Sequence, residues 1–194
     1  MNNHAVKPKC RVEHSGKCKT YAALHHTAWH LLDHAKAYEE GSLLQLQASA
    51  VFCAFTFEAY LNHVGYEEVQ YWDEIEKISY RSKLKVISAH LGVKIDESRR
   101  PFQTIIELFR LRDKLAHGRT LLFNEVDETS TLPSHDSSWR IMSWEKLETE
   151  DLERYLADLD AAVETINSAR KSPDQLLWNQ GERSRRVRAV KSGR

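Results

Sequence analysis

Near the middle of the chain the stretch LRDKLAHG, Leu111 to Gly118, sets Arg112, Asp113 and His117 close together. These are side chains that can do phosphate chemistry. A guanidinium holds phosphate oxygens in a planar fork, an imidazole takes up and releases protons near neutral pH, and a carboxylate can orient either. The same groups have a plainer use. A cation complements the C-terminus of a helix, and an arginine–aspartate pair can belong to a structural charge network.

Two further polar residues interrupt an apolar stretch, Glu58 and Asn62 in FEAYLN. Spaced four apart, they share one face of a helix, where Glu58 could pair with Arg112 or tune His117, or either could make a structural hydrogen bond. His26, His30 and His34 also recur every four residues, beside His25. Two histidines at that spacing can ligate zinc, but no cysteine or carboxylate pattern completes a set. Cys10, His14 and Cys18 do not have a usual zinc spacing. No metal and no cofactor is therefore expected, and the absence of GxGxxG, P-loop and GxSxG patterns leaves nucleotide-binding and serine-hydrolase readings unsupported.

The elements that must position these residues are helical. Seven glycines and four prolines in 194 residues leave few breaks, which favours long helices. Apolar periodicity predicts helices over about Lys17–Glu40, Leu43–Val64 (closed by Gly65) and Tyr66–Ile78, then one from Ser79 or Ser82 to Gly92. Two more follow, about Arg100–His117 with Pro101 in its first turn, and Thr149 to about Lys171. Between them, Thr120–Leu147 reads as a β-hairpin or irregular excursion, whose Trp139 and Trp144 could stack on bases or anchor the loop.

At about 100° per residue, Phe102, Ile105, Ile106, Phe109 and Ala116 share one arc of the motif helix, and Leu108, Leu111 and Leu115 a second. A helix apolar on two sides is expected to be buried by its own core and by a partner. Arg112 falls between the arcs, Asp113 inside the first and His117 just outside its edge. Arg112 and Asp113 are thus expected to be buried and paired, or to line a pocket.

Here the residues resemble a known family. An Arg, a polar residue, a short gap and a His at the end of a late helix in an all-α domain is similar to the HEPN superfamily. Arg112, Asp113 and His117 fill the motif, followed by Gly118, and the resemblance spans roughly residues 20–170. It implies an up-and-down bundle of about five helices with a short β-hairpin or irregular insertion before the last. It also implies a metal-independent endoribonuclease of the toxin–antitoxin or phage-defence kind, acting on an RNA substrate. The chain would form a homodimer through the motif helix, with a possible antitoxin partner. His117 would move protons, Arg112 would hold the scissile phosphate, and Asp113 would orient one of them. Some HEPN toxins carry a Tyr two residues after the His, which a nucleotidyltransferase antitoxin modifies. Arg119 stands there instead, which speaks against that route and adds positive charge for RNA. The alternative is a non-catalytic HEPN-like module that binds RNA or a protein partner.

Composition bounds the rest. Lys+Arg and Asp+Glu both number 28, so no overall field argues for nucleic acid, but Gly181–Arg194 holds six basic residues and one acid. That tail could contact phosphates or merely solubilise the end. No apolar run approaches the roughly 18 residues that span a bilayer, no secretory leader is visible, and three cysteines form no disulfide framework. A cytoplasmic location without membrane partners is expected. The expected organisation is a disordered segment over 1–16, a helical domain over 17–172 and a basic tail over 173–194.

Overall fold

The computed structural model describes residues 10–120, 147–181 and 183–189. Its elements in chain order are β1 (Cys10–Gly16), α1 (Thr20–Ala37), α2 (Ser42–Glu68), α3 (Trp72–Ile75), α4 (Tyr80–Leu91), α5 (Phe102–Ala116), α6 (Thr149–Asn167) and β2 (Arg183–Ala189). The described residues are mostly helical, and the class is all-α. The expected hairpin or irregular insertion, with Trp139 and Trp144, lies outside them.

α2 is the centre of the bundle, packing against α1, α4, α5 and α6. Its buried residues, from Leu46 through Cys53, Phe57 and Tyr60 to Val64, cover about half of its circumference. Gly41, at φ 74°, turns the chain from α1 into α2, and Ser49 ties the two by donating to the Ala28 carbonyl at 2.8 Å. α6 closes the bundle over α1, α2 and α5, burying Leu152, Leu156, Leu159, Val163 and Ile166. A polar staple helps to fasten it. Buried Asp158 on α6 accepts two hydrogen bonds from the Arg100 guanidinium, at 2.6 and 2.8 Å, and one from the Thr104 hydroxyl of α5 at 2.5 Å.

Gly65 does not end a helix. α2 runs on to Glu68, and the expected helix over Tyr66–Ile78 shrinks to the single turn of α3. The reason is packing: a Cβ on Gly65 would lie 2.2 Å from the buried Trp72 ring. This glycine is there for close approach. By contrast Gly92, at φ 71°, does terminate α4 as expected.

The chain ends also differ from expectation. Cys10–Gly16 and Arg183–Ala189 pair as an antiparallel two-stranded ribbon, so the segment expected to be disordered up to residue 16 and the basic tail are joined through these strands. The strands lack the apolar alternation that would announce them. What brings them together is their shared base. Lys19 donates its backbone N–H to the Gln180 carbonyl at 2.9 Å, and Gly181 approaches the Lys17 carbonyl so closely that a Cβ would stand 1.9 Å from it.

Gly65→Ala should lower stability by roughly 2 kcal/mol, because overpacking against a buried ring forces the backbone apart. Trp72→Leu added to it should return part of that loss in urea unfolding. Equal losses in the single and double variants would show that the contact does not set the packing.

Candidate functional site

Three of the candidate residues converge where α5 ends beside α2. The Arg112 side chain is 24% exposed and lies between two carboxylates. Its Nη1 is 3.1 Å from Asp113 Oδ1, and its Nη2 is 3.6 Å from Glu58 Oε2. The guanidinium also sits over the Phe109 ring, 5.1 Å from its centroid, which holds the plane by a cation–π contact. Its Nε is buried and has no hydrogen-bond partner among the described residues. Glu58 in turn accepts from the buried Lys83 ammonium of α4 at 3.1 Å. A row of alternating charges thus runs Lys83, Glu58, Arg112, Asp113.

Lys83 had no place in the sequence reading, although it shares a helix face with Leu84 and Ile87. Burial of an ammonium requires a partner, and Glu58 is that partner.

Asp113 is exposed, which corrects its placement inside an apolar arc. The core covers α5 on that side only as far as Phe109, where Tyr80 stacks on the ring at 3.5 Å, and Ala116 in the same arc is exposed as well. His117 is the C-cap of α5. Its backbone N–H donates to the Asp113 carbonyl at 2.9 Å, and its residue is exposed, as is Arg119 two positions on. Asn62 does not join the group. It lines a separate open cavity of about 390 Å³ with Lys19, His63 and Trp72, and its buried Oδ1 has no partner among the described residues.

Three of the four histidines of α1 are used structurally, and His30 is exposed. His25 is buried, stacks on Trp178 at 3.6 Å and reaches Asp160 at 2.8 Å. His26 donates to the Trp178 carbonyl at 2.9 Å, and His34 bonds the Gln45 amide oxygen at 3.0 Å. They latch the C-terminal segment and α2 onto α1. Among the described residues, the group that could hold a metal is instead His63, Glu67 and Asp174, whose ligand atoms lie within 4.8 Å of one another. Cations already occupy that group. Buried Arg170 donates to Glu67 at 2.5 Å, Glu68 at 3.3 Å and Asp174 at 3.0 Å, while Lys19 donates to Asp174 at 2.8 Å. A divalent ion would sit against the guanidinium, so the cluster is better described as a structural ion network.

Burial pushes the Asp174 carboxyl up, but hydrogen bonds from Lys19, His63 and Arg170 outweigh it and hold it well below the usual carboxylate range. Glu67 is held down in the same way, burial being outweighed by Lys17, His63 and Arg170. For His63, burial lowers the imidazole despite Asp174 and Glu67 beside it.

Comparison with protein-family models, with curated proteins and with solved structures finds no match to this chain.

The three shifts give stability one sign of pH dependence. As pH falls, the unfolded chain takes up these protons before the folded one does, so the folded state loses ground. Loss should begin below about pH 6.5 through His63 and steepen below about pH 4 through the carboxylates. Asp174→Asn should flatten that acid limb in urea midpoints measured against pH. Parallel limbs in variant and wild type would remove Asp174 as its source.

Proposed function

We propose that this chain is a HEPN-type, metal-independent endoribonuclease of the cytoplasm, serving as the toxin of a toxin–antitoxin pair or as a phage-defence effector. The observation that supports this best is the setting of Arg112. Its guanidinium is oriented by Glu58, Asp113 and the Phe109 ring while remaining part-exposed, and His117 stands exposed at the end of the same helix. An arginine held in a fixed plane is suited to a phosphate, and an exposed imidazole is suited to proton transfer.

In this reading His117 takes the proton from the ribose 2′-OH. The 2′-oxygen attacks phosphorus, the bond to the 5′-oxygen breaks, and an imidazolium returns a proton to that oxygen. The products are a 2′,3′-cyclic phosphate and a 5′-hydroxyl end. Arg112 stabilises the charge gathering on the non-bridging oxygens. Asp113 and Glu58 are positioning residues, and Arg119 adds attraction for RNA.

Residues five apart on a helix diverge by about 140°, so Arg112 and His117 of one chain do not face one point. A homodimer that sets two motif helices together lets each phosphate meet Arg112 of one protomer and His117 of the other. An uncovered apolar stripe supports such a second copy. Leu44 and Phe55 are exposed on α2, 69% and 41%, and with half-buried Val51 they lie within about 60° of Glu58 around the helix.

A non-catalytic module is the second reading, and one observation favours it. Both terminal nitrogens of Arg112 already face carboxylates, as they would in a purely structural tie between α2 and α5.

Wild type, His117→Ala and Arg112→Ala should be incubated with total RNA in EDTA. Wild type should cut RNA to cyclic-phosphate ends, and each variant should lose at least about 100-fold in rate, as expected for loss of a general acid–base in one and of electrostatic stabilisation in the other. Intact RNA at all wild-type concentrations would end the ribonuclease reading, and equal cutting by His117→Ala would end the residue assignment. Light scattering at micromolar concentration should give a dimer, and Phe55→Glu a monomer. A wild-type monomer would remove the composite site.

A further inference from the structure

The ribbon of β1 and β2 has no counterpart in the proposed site. Among the described residues it has no extensive packing on any helix, and residues 11–16 and 184–186 are all exposed. A free two-stranded ribbon without an apolar face is marginally stable in water. This one is also strongly basic. Its fourteen residues hold five arginines (11, 183, 185, 186 and 188) against the single acid Glu13, a net charge of +4 with His14 neutral. Over seven residues at roughly 3.3 Å each, that charge is spread along about 20 Å. Nothing in the described helical body neutralises it: Glu13 pairs with Arg11 at 3.3 Å on the ribbon itself, and the acids near its base are taken by Lys17, Lys19 and Arg170.

The base is firmly built. The Lys19–Gln180 backbone bond, the close approach of Gly181 to Lys17 and the Lys17–Glu67 ion pair anchor both strands to the end of α2. The result is a rigidly rooted, basic, two-stranded arm projecting from the bundle.

We propose that this arm binds double-helical DNA, lying in the major groove and holding the flanking phosphates with its arginines. A two-stranded ribbon fits the wide major groove of B-form DNA, whereas the deep and narrow major groove of A-form RNA excludes side chains. No strand residue is Phe, Tyr or Trp, so the arm lacks the large aromatic platforms that grip single strands. It also lacks the Trp, Phe or Leu residues that would seat it in a membrane interface. Arginine forks suit phosphate oxygens, and an anionic partner removes the repulsion between arginines that the ribbon carries alone. Recognition through phosphates carries little sequence information. The arm stands apart from the Arg112 site, since Glu67 at its base and Glu58 lie about 180° apart around α2.

The test uses the full chain and a labelled 20-base-pair DNA duplex, titrated by fluorescence anisotropy at several salt concentrations. DNA has no 2′-hydroxyl, so the result is independent of whether the chain cleaves RNA. Wild type should bind with an affinity that falls steeply with salt and changes little with sequence. Arg185→Ala with Arg186→Ala should bind at least about tenfold more weakly at low salt and reduce the log–log salt slope by about 2. Arg185→Lys with Arg186→Lys should keep most of the affinity, and all forms should keep wild-type helical circular dichroism. Cleavage of a short RNA, if wild type shows it, should be unchanged in the alanine pair. No binding to the duplex overturns the proposal, as does equal binding by the alanine pair. Tighter binding of duplex RNA, of single-stranded RNA or of anionic phospholipid vesicles overturns it as well.

Discussion

Burial of one half of α2 is the constraint on which the rest of the molecule depends. Small and apolar residues along that half, among them Ala50, Cys53, Ala54, Phe57, Leu61 and Val64, must be removed from water along a helix of 27 residues. At about 1.5 Å per residue α2 spans roughly 40 Å, longer than any one neighbour, so several elements share the task. α1, α5 and α6 take most of its length, α4 a further part, and the Trp72 ring the end near Gly65. The loss of apolar area on each side is what holds these helices at fixed angles, and the charged groups attach themselves to that frame.

The polar groups of the core follow from the same frame. Among the described residues, the buried ions are met by partners of opposite charge: Asp158 by Arg100, with the Thr104 hydroxyl donating as well, Lys83 by Glu58, Arg170 by three carboxylates. Such pairs add little to stability over an apolar core, but removing one partner is costly. They therefore act as registers between helices. The Glu58–Arg112 contact is one of these registers and also the centre of the candidate site. That double position explains how a part-exposed arginine keeps one orientation.

Two charged surfaces leave the bundle from opposite sides of α2. One is the end of α5, with Arg112, His117 and Arg119, where an uncovered apolar stripe adjoins the arginine. The other is the arginine ribbon, rooted at Glu67. Their separation keeps the proposed chemistry at one independent of the proposed anchoring at the other.

Much of the helical frame was legible in the amino-acid pattern, because helix periodicity, Gly41, Gly92 and Pro101 are local signals. The motif Arg112–Asp113–His117 was equally legible, as was the possibility that Glu58 meets Arg112. Asp113 was misplaced by the helical wheel, which assumes the core extends along the whole helix, whereas it stops near Phe109. Gly65 misled for a related reason: its purpose is contact with Trp72, seven residues away in sequence and set beside it only by the turn between α2 and α3. The ribbon and the Arg170 network were hidden further still. Most of their partners are separated by 100 residues or more, as in His63–Asp174, Lys19–Asp174 and the β1–β2 ladder, and no periodicity marks them. The sequence by itself determined which segments coil and which residues could carry charge chemistry, since those depend on neighbours along the chain. Only the tertiary structure decided which charges meet, because long-range pairing is set by how the helices bury α2.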